Sequence, residues 1–210
     1  MKTPLDSTEF VRRRYDRLAP FFDMMESAME RMAFRHWRSQ QWSRVEGGEI
    51  LEVGVGTGKS FPFYPGDARI TAIDFSRAML QRAATKANEQ GVTVDLRWMD
   101  VQQLDFPGAR FDSVVGSFVF CSVPNPHQGL SEIYRVLKPG GKLVLLEHVL
   151  SEQAGLARLM NILNPLVVRL VGANINRRTV DAVATAGFAI DRVEHLSGIV
   201  KLIEARRLLI

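Results

Sequence analysis

The sequence predicts an α/β fold: an open, mostly parallel sheet of seven strands with helices on both faces, preceded by a helical extension. Three observations predict it. The apolar run Ile50-Leu51-Glu52-Val53 ends abruptly in three alternating glycines, Gly54, Gly56 and Gly58, as a buried strand does when it breaks into a tight turn. From there to Val149, short apolar segments alternate with helix-like ones, the pattern of a sheet wound with crossover helices. Two more strand-like segments, 190–196 and 200–208, follow directly on each other and read as an antiparallel hairpin at the sheet edge.

The chain has 210 residues, 46% of them apolar and 24% charged, which fits one domain plus an extension. Residues 1–45 form the extension and 46–210 the domain, with an apolar helical insertion at 151–175. Cys121 is the single cysteine; it excludes an internal disulfide and favours a reducing compartment. The four histidines, His36, His127, His148 and His195, are scattered, so no metal site is expected. No signal-peptide pattern opens the sequence, and no apolar run is expected to reach the roughly 18–20 residues of a spanning helix. A formal charge of +4 favours anionic partners, membrane lipid or nucleic acid, without choosing between them.

In the extension, Val11, Tyr15 and Leu18 form one stripe between Thr8 and Leu18, with Arg12, Arg13, Arg14 and Arg17 around it. Such a helix suits a membrane interface, where each basic group adds about 1 kcal/mol near an anionic leaflet. The alternative is a helix docked on its own domain. Pro20 is expected to end it, with Phe21 and Phe22 following. A second helix is expected from about Met24 to Arg44, with Met25, Met29, Met32 and His36 on one side as core filling. Arg31, Arg35 and Arg38 then make a basic face.

The glycine turn after the first strand is neither a P-loop nor a dinucleotide fingerprint. The first needs a glycine where Val53 stands, the second a glycine where Lys59 stands. What remains is Glu52-x-Gly54-x-Gly56-x-Gly58, a bare backbone against which a ligand can press. Ala68 to Asp74 reads as a second strand ending in an acid, 16 residues beyond Gly58. That spacing suits a carboxylate bonding two ribose hydroxyls; the other role open to Asp74 is a cap for the helix Ser76–Asn88.

A third strand, Thr93 to Trp98, closes with Met99-Asp100-Val101. A fourth, Phe111 to Ser117, has Phe118, Val119, Phe120 and Cys121 at its mouth. Pro124 and Pro126 start a helix to Val136, and Leu137-Lys138-Pro139-Gly140-Gly141 is a break before a fifth strand, Lys142–Val149. Leu156 to Val171 is strongly apolar, interrupted by Asn161, Asn164 and Pro165. It is expected to be too short and too broken to span a bilayer, and to form two helices that make a greasy lid or lie on a membrane. Arg177 and Arg178 open the helix that ends near Gly187, where they offer a phosphate site or are simply exposed.

Taken together, the glycine motif, Asp74-Phe75-Ser76-x-x-Met79, Met99-Asp100-Val101 and Leu137-Lys138-Pro139-Gly140-Gly141 resemble the motifs of class I S-adenosylmethionine-dependent methyltransferases, across residues 48–208. Three stretches carry a narrower resemblance to the bacterial phosphatidylethanolamine N-methyltransferases, relatives of the ubiquinone/menaquinone methyltransferases. They are Tyr15-Asp16-x-Leu18-Ala19-Pro20-x-Phe22-Asp23, Glu147-His148-Val149, and Asn174-x-Asn176-Arg177-Arg178-Thr179.

The resemblance implies a Rossmann-like fold and S-adenosylmethionine as cofactor, with S-adenosylhomocysteine as product and no metal. It implies cofactor contacts at Glu52, Gly54, Gly56, Gly58, Asp74, Phe75, Ser76, Met79, Asp100, Val101, Ser117 and Phe118, the acid at 100 meeting the adenine amino group. Asn176, Arg177 and Arg178 become the expected substrate contacts. Phe22 stands where the group often has tyrosine, so any hydroxyl role falls to Tyr15. A primary amine must shed a proton before attack, and His148, at a strand end, has the best-suited intrinsic pKa among the candidates. Phe118 and Phe120, with Phe21 and Phe22, are candidates for an aromatic wall against cations.

The expected function is successive N-methylation of phosphatidylethanolamine toward phosphatidylcholine. The expected setting is the cytoplasm, peripheral to the cytoplasmic membrane, with residues 1–18 and 156–171 meeting an anionic surface. The competing acceptors are a quinone precursor or a small thiol or amine. An RNA methyltransferase or RNA-binding module would use the same positive charge, but no RNA-binding motif is present and no nucleic acid is expected as a partner.

Overall fold

The computed structural model of the chain describes residues 8–29 and 33–209, with the side chains of 21–29 left out. The expectations for residues 1–7 and for the side chains of Phe21, Phe22, Met25, Met29, Arg31 and Met32 lie outside the described residues.

Seven strands form one sheet: β1 (Glu49–Val53), β2 (Arg69–Asp74), β3 (Asp95–Trp98), β4 (Phe111–Ser117), β5 (Leu137–His148), β6 (Ala189–His195) and β7 (Val200–Arg206). Their order is β3-β2-β1-β4-β5-β7-β6. The first five are parallel; β7 runs antiparallel to both β5 and β6. The chain leaves β1 toward β2 and β3 on one side and returns to β4 and β5 on the other. A crevice opens where those two directions part, beyond the carboxyl ends of β1 and β4.

The central strands are apolar on both faces because helices cover both. Leu51, Val53, Val114, Leu143 and Leu145 pack with Leu130 and Ile133 of α4 (Pro126–Val136) and Val183 of α6 (Thr179–Thr185). On other stretches of the sheet, Ile50, Ile70 and Val115 meet Trp42 of α2 (Arg35–Trp42), and Ala72 meets Ala83 and Ala87 of α3 (Arg77–Gln90). Each fully buried Leu or Ile contributes roughly 1.5–3 kcal/mol.

Four segments differ from the sequence expectation. Pro20 does not end the first helix: α1 runs Thr8–Met29 straight through it. Proline deletes one rung of the amide ladder, yet its fixed φ is helical, and packing on α3 and α5 holds the helix. The apolar stripe of α1 faces the domain, with Val11 buried and Arg13 and Arg17 exposed. Of the expected helix 24–44, residues 24–29 belong to α1 and Arg35–Trp42 form α2, entered through a wide helical turn at Ala33 and Phe34, while residues 30–32 lie outside the described ones. The break at 137–141 lies inside β5: Leu137 pairs with Phe111, residues 138–141 bulge out, and pairing resumes at Lys142 with Ser113.

The insertion forms one helix, not two. α5 (Ala154–Val171) passes through Pro165 and, at 18 residues and mean hydropathy 1.3, is long and apolar enough to cross a membrane by length and composition. Here it lies against the domain, with Met160 and Val168 buried and the Asn164 Oδ1 accepting the Ile175 amide at 2.8 Å.

Candidate active site

The carboxyl ends of β1 to β5 open into a cavity of about 430 Å³. Its lining follows the sheet order: Asp100 and Val101 after β3, Asp74 and Phe75 after β2, Gly54 and Gly56 after β1, Ser117 and Phe118 after β4, and His148 at the end of β5. Tyr15 of α1, Arg38 of α2, and Val167 and Val171 of α5 close it from outside the sheet.

Gly54 and Gly56 have φ of +67° and +56°, which glycine adopts without the Cβ penalty. A Cβ on Gly54 would come within 2.6 Å of Val119, whereas one on Gly56 would meet nothing within 4 Å. Gly56 thus offers bare backbone to open space. Asp74 braces this loop: its Oδ2 accepts the Gly56 amide at 2.9 Å and its Oδ1 the Ser76 amide at 2.8 Å. Burial pushes the Asp74 carboxyl up to about 6, although the Ser76 and Gly56 amides pull it back.

α1 is fastened across the cavity by side chains. Thr8 donates to Asp100 Oδ2 at 3.0 Å, Ser76 donates to Asp16 Oδ1 at 2.6 Å, and the Tyr15 and Ser122 hydroxyls bond each other. The Tyr15 ring also meets Phe75 edge-on, centroids 5.7 Å apart. Phe118 takes φ of +57°, a strained conformation for an aromatic residue. It is held by its amide donating to the Leu146 carbonyl at 2.7 Å, and its ring packs 4.8 Å from that of Phe34. The loop after it is pinned by Glu147, whose Oε1 accepts the Val119 and Phe120 amides at 2.9 and 3.0 Å. His148 lies half-buried; burial lowers its pKa, and the Ile175 backbone partly opposes that. Its Nδ1 has no hydrogen-bond partner among the described residues.

A family profile described as "Methyltransferase domain" matches residues 51–145. The chain is 44% identical over 115 residues to a phosphatidylethanolamine N-methyltransferase of Cereibacter sphaeroides, covering 54% of this chain and 57% of that protein. It is 31% identical over 169 residues to a ubiquinone/menaquinone biosynthesis C-methyltransferase of Ruegeria sp., covering 77% and 68%. The chain belongs to the class I S-adenosylmethionine-dependent methyltransferases. Among solved structures, the [4+2]-cyclase SpnF superposes with a TM-score of 0.79 over 97% of both chains at 20% identity, a likeness of fold alone. The match spans 57–60% of the length of the first two curated relatives.

The residues of this methyltransferase fit S-adenosylmethionine. The open backbone at Gly56 leaves room that any side chain would fill. Gly54, Gly56, Asp74, Phe75, Met79, Asp100, Val101, Ser117 and Phe118 all line the one cavity and would hold it. Among the described residues no group of three His, Cys, Asp or Glu could hold a metal ion.

Three residues named by the motifs are not in that lining. Glu52 is fully buried behind the loop, where its carboxylate accepts the Tyr64 hydroxyl. Burial raises its pKa, against the pull of Tyr64 and Ser60. Gly58 packs on the Phe61 ring, which a Cβ would meet at 2.3 Å. Ser76 caps α3, accepting the Met79 amide at 3.2 Å, so the cap role open to Asp74 is filled by its neighbour. Phe120 is also absent from the wall, being fully buried in the core.

Asn176, Arg177 and Arg178 lie outside the cavity as well. Asn176 Nδ2 donates to Asn161 Oδ1 at 2.9 Å, and Arg177 Nη2 donates to the Val123 carbonyl at 2.9 Å. Arg177 and Arg178 instead line a separate hollow of about 370 Å³ with Ala157, Thr179, Glu152 and Lys201. Conversely, Phe34, Arg38, Asn174 and Ile175 stand in the cavity wall, where sequence reasoning placed none of them. A polar pair one turn apart, Arg38 and Gln41 just before buried Trp42, was the available signal.

Proposed function

We propose that this methyltransferase transfers methyl groups to the amine of phosphatidylethanolamine, and of its mono- and dimethyl forms, toward phosphatidylcholine, as a peripheral enzyme of the cytoplasmic membrane. The observation that carries this reading is α5. The helix lines the cavity with Val167 and Val171 and presents Leu156, Leu159, Ile162, Leu163, Leu166 and Leu170 to the outside, 37–66% exposed. Such a face suits the apolar side of a bilayer, and a lipid-borne acceptor held there lies beside the cavity mouth. The 44% identity to a phosphatidylethanolamine N-methyltransferase supports the acceptor class. The exposed arginines of α1 suit an anionic leaflet. Arg177 and Arg178, in the hollow beside the first turns of α5, hold the headgroup phosphate at the surface.

S-adenosylmethionine, when bound, supplies a methyl group already activated on a sulfonium, so the protein's task is alignment. His148, its pKa lowered by burial, is neutral near pH 7 and takes the proton that the substrate ammonium must lose. The Tyr15 hydroxyl, steadied by Ser122, orients the amine. The rings of Tyr15, Phe34, Phe75 and Phe118 in the wall favour increasingly methylated ammonium by cation–π attraction.

A second reading, C-methylation of a quinone precursor ring, is favoured by the 31% identity over 77% of the chain to a quinone C-methyltransferase. It uses the same cavity and the same α5 face. The test is transfer of radiolabelled methyl from S-adenosylmethionine into vesicles containing both phosphatidylethanolamine and a demethylquinone, the lipids then separated. Label in the phospholipid supports the first reading, label only in the quinone moves the assignment to the second, and label in neither removes both.

A further inference from the structure

α5 is apolar along most of its length, yet it turns two asparagines one turn apart, Asn161 and Asn164, onto the segment 174–176. Asn164 Oδ1 accepts the Ile175 amide at 2.8 Å, and Asn164 Nδ2 donates to Asn174 Oδ1 at 3.2 Å. Asn174 Nδ2 in turn donates to the Cys121 carbonyl at 3.2 Å, and the Asn174 backbone amide donates to the same oxygen at 2.7 Å. A backbone N–H only donates and a carbonyl only accepts, so these two ends fix the direction of both side-chain amides between them. Residues 174 and 175 are thereby clamped between α5 and the loop after β4.

The clamped Ile175 is the residue that meets His148, and both line the cavity. The Ile175 backbone acts on the imidazole in the direction that favours its protonated form, which is the effect of a carbonyl accepting a ring N–H. His148 Nδ1 has no hydrogen-bond partner among the described residues, so the direction of the ring depends on that carbonyl. The titratable groups that share the lining with His148 are Tyr15 of α1, Arg38 of α2, Lys59, Asp74 and Asp100 of the strand-end loops, and Cys121. The shift of His148 comes instead from burial and from Ile175. Its neighbour on β5, Glu147, turns to the Val119 and Phe120 amides.

We propose that Asn164 is a positioning residue of the active site: acting through Ile175, it sets the direction of the His148 ring toward the methyl acceptor. The same bonds join the helix that carries the exposed apolar face to the group that takes the proton, so the two are held as one piece. The inference rests on the reading of His148 as the base.

Asn164→Ala, which removes the acceptor for Ile175, tests it. Titration of the histidine resonances by NMR should place the His148 pKa about half a pH unit or more below its wild-type value, with His36, His127 and His195 unmoved. Methyl transfer into the mixed vesicles described above should fall at least about tenfold in kcat, with KM for S-adenosylmethionine within about twofold of wild type. His148→Gln should lose at least as much, and adding Asn164→Ala to it should cost less than about twofold more. Met160→Ser, which loosens α5 elsewhere, should lower the melting temperature without moving His148. An unmoved or raised His148 pKa, an additive loss in the double variant, or the same shift in Met160→Ser overturns the inference. His148→Gln transferring methyl like wild type removes the reading of His148 as the base, and this inference with it. Should wild type label neither lipid, the proposed acceptors fall, and the titration still decides whether Asn164 holds the ring. If Asn164→Ala does not fold, Asn164→Gln sets both polar groups one methylene too far out and should give the same shift in smaller measure.

Discussion

The carboxylate of Asp74 accepts the backbone amide of Gly56 at 2.9 Å. The acid at the end of β2 therefore holds the conformation of the loop after β1, besides facing the cavity itself. Two motifs separated in sequence act as one piece, and the protonation state of one side chain reaches the whole floor of the site.

That coupling predicts a pH dependence. Burial pushes Asp74 up to about 6, so it gains a proton as pH falls through that value and loses acceptor capacity for a ribose. S-adenosylhomocysteine affinity should be level above about pH 7 and fall between about pH 7 and 5, while Asp74→Asn should bind weakly with no such fall. The sign for stability is opposite. A raised folded-state pKa gives a contribution fully present below the ordinary 3.8 and lost as pH rises through about 6. Calorimetry and melting curves over the same pH series check both; a level wild-type affinity through the acid range would remove Asp74 as the titrating group.

The glycines of the loop should separate into binding and folding positions. Gly56→Ala forces an alanine into a left-handed conformation, costing about 1–2 kcal/mol, with no clash within 4 Å. Its methyl points into space the cofactor needs, so ligand binding should be lost from a folded protein. Gly58→Ala adds a collision with the Phe61 ring at 2.3 Å, roughly 1–3 kcal/mol more. Melting temperature should fall further for Gly58→Ala than for Gly56→Ala. The reverse order would mean that the two positions are misassigned.

The sheet was legible because its strand ends announce themselves: apolar runs stop at Gly54, at Asp74 and at Ser117. The three glycines were not separable by pattern, since only Phe61 and Val119, brought in by folding, distinguish them. Glu52 and Ser76 belong to the motifs yet turn away from the cavity, because adjacent strand and turn positions point to different sides. The two prolines misled for an energetic reason. A proline costs about 3 kcal/mol in a helix interior, a cost that an isolated helix cannot offset, whereas α1 packs on α3 and α5 and α5 buries Met160 and Val168. Arg38 read as part of a basic face; which side of α2 the sheet covers is decided by Gln41 and Trp42 docking on it.

Glu147 should make the protein less stable as the solution becomes alkaline. Burial pushes this carboxyl up to about 8, against the pull of the Phe120 and Val119 amides, and its Oε2 is buried without a partner among the described residues. The raised pKa means that its contribution is complete below the ordinary 4.5 and lost as pH rises through about 8. Glu147→Gln keeps a carbonyl for the two amides and never ionises. The melting temperature of the variant, taken relative to wild type, should therefore climb between about pH 6 and 9. A difference that stays constant would show that Glu147 does not titrate in the folded protein.

The exposed face of α5 should govern access to lipid without governing the fold. Ile162 and Leu166 are 66% and 56% exposed, so replacing both with serine should change stability by only about 0.5 kcal/mol each. If that face enters the bilayer, the pair contributes roughly 2–3 kcal/mol of apolar burial there, and co-sedimentation with vesicles should weaken at least about tenfold. Transfer to phosphatidylethanolamine in vesicles should drop in parallel, while transfer to a short-chain analogue dissolved in water should persist. Met160→Ser, at a position 5% exposed on the opposite side of the helix, should instead lower the melting temperature. A double variant that still sediments with vesicles like wild type would mean that α5 covers the cavity without touching the membrane, and the acceptor would then have to reach His148 by another route.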